Sequence, residues 1–295
     1  MNSLLIVTCS RDAWGFEMLC RSIQKFLKPA NIYIVINEQP EHVELWKFFY
    51  KHAIQKLLAE HTVKLFTREE LYGFKTGWGH TDGWVHQQIL KIFVSEHIND
   101  NEYLIVDSKN FFLEPTTVEN IKQTKPTTGW MLPDVEEFAK DVCNAFHYKY
   151  PGHKHLPVTQ NITPFVVNTE SCKQFTNTFG SKQEFYNWFM SLSYADKNNP
   201  AEFVAYEIFC YSYNLETCNR LTDQNSATIW RHIVEELKTP NRIAHFIKQQ
   251  QKDYNIKVSG FHGGLKGYLK HEHLKQILNL LNISDIWSIY NNCSL

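Results

Sequence analysis

Short apolar runs alternate with helix-periodic segments through the first third of the chain. Residues 4–8 (LLIVT), 32–36 (IYIVI) and 103–106 (YLIV) lack the polar–apolar alternation of a half-exposed strand, so they read as strands covered on both faces. Residues 63–66 (VKLF) read as a further short strand. Between them, residues 14–26 carry Trp14, Met18, Leu19, Ile23 and Phe26 at steps of three and four, the spacing of one helical face. Residues 41–58 and 82–97 repeat that periodicity. Strands alternating with helices in this way predict a mostly parallel sheet with helices on both faces.

Beyond residue 115 the pattern changes. It predicts a helix near 116–122, a strand near 129–132, and a polar stretch (HYKYPGHKHLPVTQN, 147–161) before a strand at 163–167. Helices are expected at 185–192, 201–213, 240–254 and 265–281, with a last strand at 257–261. No repeat, low-complexity tract or linker divides the chain. The expectation is one α/β unit, with residues 1–125 as a nucleotide-binding half and 126–295 as a helix-rich acceptor half of the same domain.

With 295 residues, 43% of them hydrophobic and 14% aromatic, the chain has material for a sizeable core. Thirty basic residues face 31 acidic ones, a formal net charge of -1, so no global field draws the molecule onto nucleic acid or an anionic membrane. The seven cysteines contain no C-x-x-C pair, which reads as reduced thiols in a cytoplasmic protein. The opening MNSLLIVT has no basic region and passes into the polar CSRD, which favours a first strand over a signal peptide; no membrane span is expected.

In open parallel sheets, ligands bind outside the carboxyl ends of strands. Asp107 stands at such an end, where it serves either a site or the capping of a turn. Upstream, TDGWVHQQILKIF sets Trp84, Gln88 and Lys91 on one helical face, with Gln87 beside them. Two glutamines among Val, Ile, Leu and Phe are unusual for pure packing; the bland alternative is solvated glutamines and a snorkelling lysine.

The segments LLIVTCSRD, GWVHQQILKI, EYLIVDSKNFFLEP, TPFVVNTE, PAEFVAYEIF and FHGG, taken in order, resemble the GT-A class of nucleotide-sugar glycosyltransferases. They are more closely similar to a bacterial family of glycosyltransferases that pairs a W-x-x-Q-Q-x-x-K helix with a D-x-K-N strand end. The resemblance implies a GT-A-like, Rossmann-like fold and a UDP- or GDP-sugar donor. It places the base and ribose on Thr8, Ser10, Arg11 and Asp12, with Trp84, Gln87, Gln88 and Lys91 lining the donor site. The D-x-D motif, whose last acid usually binds Mn²⁺ or Mg²⁺, falls on Asp107, Ser108 and Lys109, followed by Asn110. Lys109 departs from the pattern, so two readings stay open: the lysine replaces the metal, or it points away and Asn110 with Asp107 completes a weaker oxygen site, to which a late histidine, His262 beside Gly263, adds.

Inverting transfer needs a carboxylate to deprotonate the acceptor. The resemblance puts that base on Glu202, with Asp107 in the catalytic set and Glu207 as second choice; a glutamate in the first turn of a helix is also favoured by the dipole alone. Asn168, Glu170, Trp130 and Asp134 are expected to face the acceptor. A glycan of polysaccharide biosynthesis is the favoured acceptor, and a modified DNA base is the disfavoured one.

Rival readings are a sugar nucleotidyltransferase or a non-catalytic nucleotide-sugar binder. The nucleotidyltransferase needs a glycine-rich loop after the first strand, where TCSRDAWGFE offers only Gly15. His147, His153 and His155 have no nearby acid or cysteine to complete a zinc set. The segment FKTGWGHTDGW either closes over the donor or connects a strand to a helix.

Overall fold

Odd and even residues of the first strand face different cores, which is why its sequence shows no polar side. The computed structural model describes residues 1–76, 82–121, 123–124, 133–152, 163–194, 201–215, 221–222, 226–229, 231–261 and 271–282. Its first half runs β1 (Ser3–Thr8), α1 (Ala13–Phe26), β2 (Asn31–Ile36), α2 (Pro40–Phe49), β3 (Thr62–Thr67), α3 (Arg68–Tyr72), α4 (Asp82–Phe93), β4 (Glu102–Asp107), β5 (Asn110–Phe112) and β6 (Gln123–Thr124). There follow α5 (Pro133–Ala145), β7 (Phe165–Asn168), α6 (Thr169–Asn177), α7 (Lys182–Tyr194), α8 (Glu202–Ser212), β8 (Leu221–Thr222) and β9 (Ser226–Ile229). Next come α9 (Arg231–Leu237), α10 (Pro240–Tyr254), β10 (Val258–Phe261) and α11 (His271–Leu280).

The central sheet has the order β3-β2-β1-β4-β7. Its first four strands are parallel, and β7 pairs antiparallel with β4. On one face Leu5, Val7, Tyr33, Val35, Tyr103 and Ile105 pack against α4 to α8; on the other Leu4, Ile6, Ile32, Ile34, Leu104 and Val106 pack against α1 and α2. Each fully buried aliphatic side chain contributes roughly 1.5–3 kcal/mol, so the sheet is held chiefly by this two-sided burial. Helix α8 is buried from Glu202 to Cys210 and has no polar face, as befits a helix surrounded by others. A second sheet, β5-β10-β9, carries α10 and α11 over Phe111, Ile229 and Phe261.

The fold is therefore mixed α/β with a mostly parallel central sheet and helices around it, as the pattern predicts. Several elements differ. The helix expected at 116–122 is a single turn of 3-10 helix, Val118–Asn120. Backbone bonds from Thr116 N to Phe26 O and from Lys28 N to Thr116 O hold the chain extended there, so a longer helix cannot start at 116. The helix expected at 41–58 stays α-helical only to Phe49 and then loosens into a π turn and a 3-10 turn. Helices α5 and α6 were not expected; the strand near 129–132 lies outside the described residues.

Candidate active site

The order of the sheet reverses at β1, which has β2 on one side and β4 on the other. Such a switch point leaves a crevice beyond the carboxyl ends of the two diverging strands, here after Thr8 and Asp107.

After β1 the chain makes one 3-10 turn, Ser10–Asp12, before α1 begins. After β4 it reverses tightly through Ser108 and Lys109 into β5. Asn110 fixes that reversal: its Oδ1 accepts from Asp107 N at 2.7 Å and from the Thr163 hydroxyl at 2.8 Å. Asp12 ties the two loops together. Its Oδ2 pairs with Lys109 Nζ at 2.7 Å and accepts from Ser108 Oγ at 3.2 Å. The approach is close enough to require Gly15, where a Cβ would lie 2.8 Å from Lys109 Cγ and 2.9 Å from the Ser108 carbonyl.

Behind this junction lies a buried charge cluster. Lys91, in the last turn of α4, sits between Glu202 at 2.8 Å and Asp107 at 3.1 Å, with its ammonium 5.2 Å from the Phe203 ring centre. Gln87 Nε2 reaches Asp107 Oδ1 at 3.3 Å. Glu202 and Lys91 are closed off from solvent, whereas Asp107 keeps 38% of its side chain exposed.

Burial disfavours the Lys91 charge, but the two carboxylates override it and hold the ammonium charged well above the ordinary lysine range. Burial also works against ionised Asp107, yet Lys91 and Lys109 prevail and hold its carboxyl below the usual range. For Glu202 the outcome reverses: burial outweighs Lys91, and its carboxyl is raised. One ammonium thus separates two carboxylates with opposite tendencies.

A third group lies at the end of β2. Glu38 accepts from the Ser10 backbone N–H, and Asn37 donates to the Gly83 carbonyl at 2.7 Å. Thr8 Oγ1 and Asn37 Oδ1 are buried without a hydrogen-bond partner among the described residues. The sequence marks the strand end at Asn37 as a place where ligands bind but gives neither Asn37 nor Glu38 a role, although both follow directly on the β-branched run 32–36. Burial, with Asp12 and Glu38, pushes the thiol of Cys9 beside them up to about 11, which keeps it protonated near neutral pH.

The structure thus brings together Thr8, Ser10, Asp12, Gln87, Lys91, Asp107, Ser108, Lys109, Asn110 and Glu202. Arg11 is exposed in the Ser10–Asp12 turn; on α4, Gln88 is buried and Trp84 is 45% exposed. Glu207 is buried farther along α8. Asn168 and Glu170 do not join the group. Because β7 runs antiparallel, Asn168 pairs with Glu102 at the start of β4, and both residues line an open polar cleft at the opposite edge of the sheet. There Asn168 caps α6 through Ser171 N at 2.9 Å. Trp130, His262, Gly263, His153 and His155 lie outside the described residues; Asp134 belongs to α5, with its side chain outside the description. Among the described residues no three His, Cys, Asp or Glu side chains gather as a metal site.

Fold and site together define an α/β protein with a cluster of charged side chains at the switch point of a mostly parallel sheet. The chain belongs to the DUF6492 family, described as a family of unknown function, whose model matches residues 4–236. No curated protein matches it significantly. Among solved structures it is similar to the WbbM bifunctional glycosyltransferase in its apo form, with a TM-score of 0.44 and 10% identity over 96% of this chain and 51% of that one. This chain spans about half the length of that protein. Among the described residues no helix is long and apolar enough to cross a membrane.

Proposed function

We propose that this protein is a glycosyltransferase that moves a sugar from a nucleotide-sugar to an acceptor hydroxyl. The observation that carries the reading is the crevice between β1 and β4, where Asp12, Asp107, Lys109 and Lys91 meet at the strand ends to which the GT-A resemblance assigns the donor. Residues 1–125 form the donor half in this reading. Ser10 and Arg11, which are not buried, offer a hydroxyl and a guanidinium to a base and ribose, and Asp107 offers its partly exposed carboxylate to the donor's hydroxyls. The near-neutral charge favours a glycan acceptor over DNA. The dispersed cysteines suit a cytoplasmic setting.

In inverting transfer the acceptor oxygen bonds to the anomeric carbon as the bond from that carbon to the phosphate oxygen breaks. The nucleoside diphosphate leaves with the electron pair, and the hydroxyl proton passes to a base. Glu202 is 1% exposed and bonded to Lys91 at 2.8 Å, so we assign it to positioning Lys91 rather than to direct contact with the acceptor. The proton is taken on the face of the anomeric carbon opposite the diphosphate, and Asp107, beside Lys109 on the donor side, is assigned to holding the donor. Lys91 holds it ionised and Gln87 fixes its orientation.

The test is release of nucleoside diphosphate from a panel of UDP-, GDP-, CDP-, ADP- and dTDP-sugars. Turnover by the wild type that falls at least about 100-fold in Asp107→Asn is expected. Absence of both turnover and binding across the panel overturns the reading.

A further inference from the structure

In D-x-D enzymes a divalent cation meets the donor diphosphate, and the residues of this crevice can be tested against that role. A hard cation needs a shell of oxygen ligands. Here Asp107 Oδ1 is already engaged by Lys91 at 3.1 Å and Asp12 Oδ2 by Lys109 at 2.7 Å. A cation placed among these oxygens meets two ammonium groups at close range. The described donor set does not fit Mn²⁺ or Mg²⁺.

What the geometry offers instead is a positioned ammonium. The Lys109 stem lies against Gly15, so the side chain is guided by contact rather than waving from a loop. Its turn is pinned by Asn110 through Asp107 N and Thr163. Lys109 and Asp12 are each 19% exposed, so the pair is accessible from the crevice without being solvated like a surface pair. Arg11, in the same turn as Asp12, is exposed.

We propose that Lys109 supplies the positive charge that meets the donor diphosphate in place of a divalent cation, and that Asp12 occupies this ammonium until the donor arrives. The inference rests on the glycosyltransferase reading and goes beyond it. A diphosphate carries more negative charge than one carboxylate and offers several oxygens to an ammonium's three donors, so the exchange favours the ligand. Lysine serves such a site as a compact point charge on a phosphate. When the diphosphate leaves with the electron pair of the broken bond, Lys109 neutralises part of its charge with no proton transferred. Asp12 then reclaims the lysine and helps to expel the product.

The experiment is calorimetric titration of the full chain with UDP, GDP, CDP, ADP and dTDP, each in EDTA and in Mn²⁺. For whichever nucleotide binds, affinity is expected to be equal in the two media within about twofold. Lys109→Gln weakens binding about tenfold or more, about 1.4 kcal/mol, while Lys109→Arg keeps most of it. Asp12→Asn removes the internal competitor and tightens binding several-fold, and the double variant Asp12→Asn/Lys109→Gln is as weak as Lys109→Gln. Thermal melts establish that each variant is folded.

Binding that requires Mn²⁺, a Lys109→Gln variant that binds like the wild type, or an Asp12→Asn variant that binds more weakly overturns the inference. The glycosyltransferase reading survives those outcomes. If no nucleotide binds in either medium, both fall. Metal-free, Lys109-dependent binding without sugar transfer from any donor leaves the anion site standing and removes the transferase.

Discussion

Lys91 is the buried counter-ion that Glu202 and Asp107 share. Removing it leaves Glu202 and Asp107 facing each other without their shared counter-ion. Breaking a buried ion pair from one side costs about 3–5 kcal/mol, so Lys91→Met is expected to lower the unfolding free energy by that amount in urea titrations. The combined variant Lys91→Met/Glu202→Leu should recover much of it, because no fully buried charge is then stranded. The cluster also has a pH signature. Asp107's carboxyl is held below its unfolded value, so its stabilisation is full above about pH 4 and is lost as pH falls through the folded value. Glu202 is raised, and its sign is opposite: it costs stability above its unfolded value, a cost relieved as the pH falls. Asp107→Asn removes the first contribution and leaves the second. Its urea midpoint should therefore fall less than the wild type's between about pH 5 and 3, and an equal or steeper fall would contradict the assignment.

The reversal between β4 and β5 depends on contacts that no local pattern encodes. Asn110 stands in for a backbone partner by accepting from Asp107 N, and Gly15 and Gly260 leave the room that the turn occupies. A methyl at Gly15 would meet the Ser108 carbonyl and Lys109 Cγ. Gly15→Ala is thus expected to cost about 1–3 kcal/mol in urea unfolding and to weaken nucleoside diphosphate binding, because the turn that shifts is the one carrying Lys109. Asn110→Ala strands the Asp107 N–H and costs about 1–3 kcal/mol by the same measurement. Part of this element was legible: a buried strand ending in Asp-x-Lys-Asn marks a special strand end. Asn110's capping role was not, since its two donors come from Asp107 and from Thr163, 53 residues away.

Across the whole molecule, the direction of β7 decides which residues belong to the site. An antiparallel strand beside β4 carries Asn168 and Glu170 to the edge opposite Asp107. Glu170→Ala is expected to change turnover by less than about twofold, whereas Asp107→Asn removes it; steady-state kinetics on the two variants checks this. Loss of turnover in Glu170→Ala would show that the acceptor reaches around the sheet.

The strands buried on both faces, the helices between them and the special ending of β4 are visible along the chain, because each follows from residues a few positions apart. Side-chain period and strand-end chemistry are local properties. Which strand ends become neighbours is not local. Lys91 meets Glu202 across 111 residues, Lys109 meets Asp12 from the other side of β1, and β7 chooses its direction through pairing with β4. Those encounters are set by how the packed helices bring the sheet together, and they bury Glu202, the expected base, against Lys91.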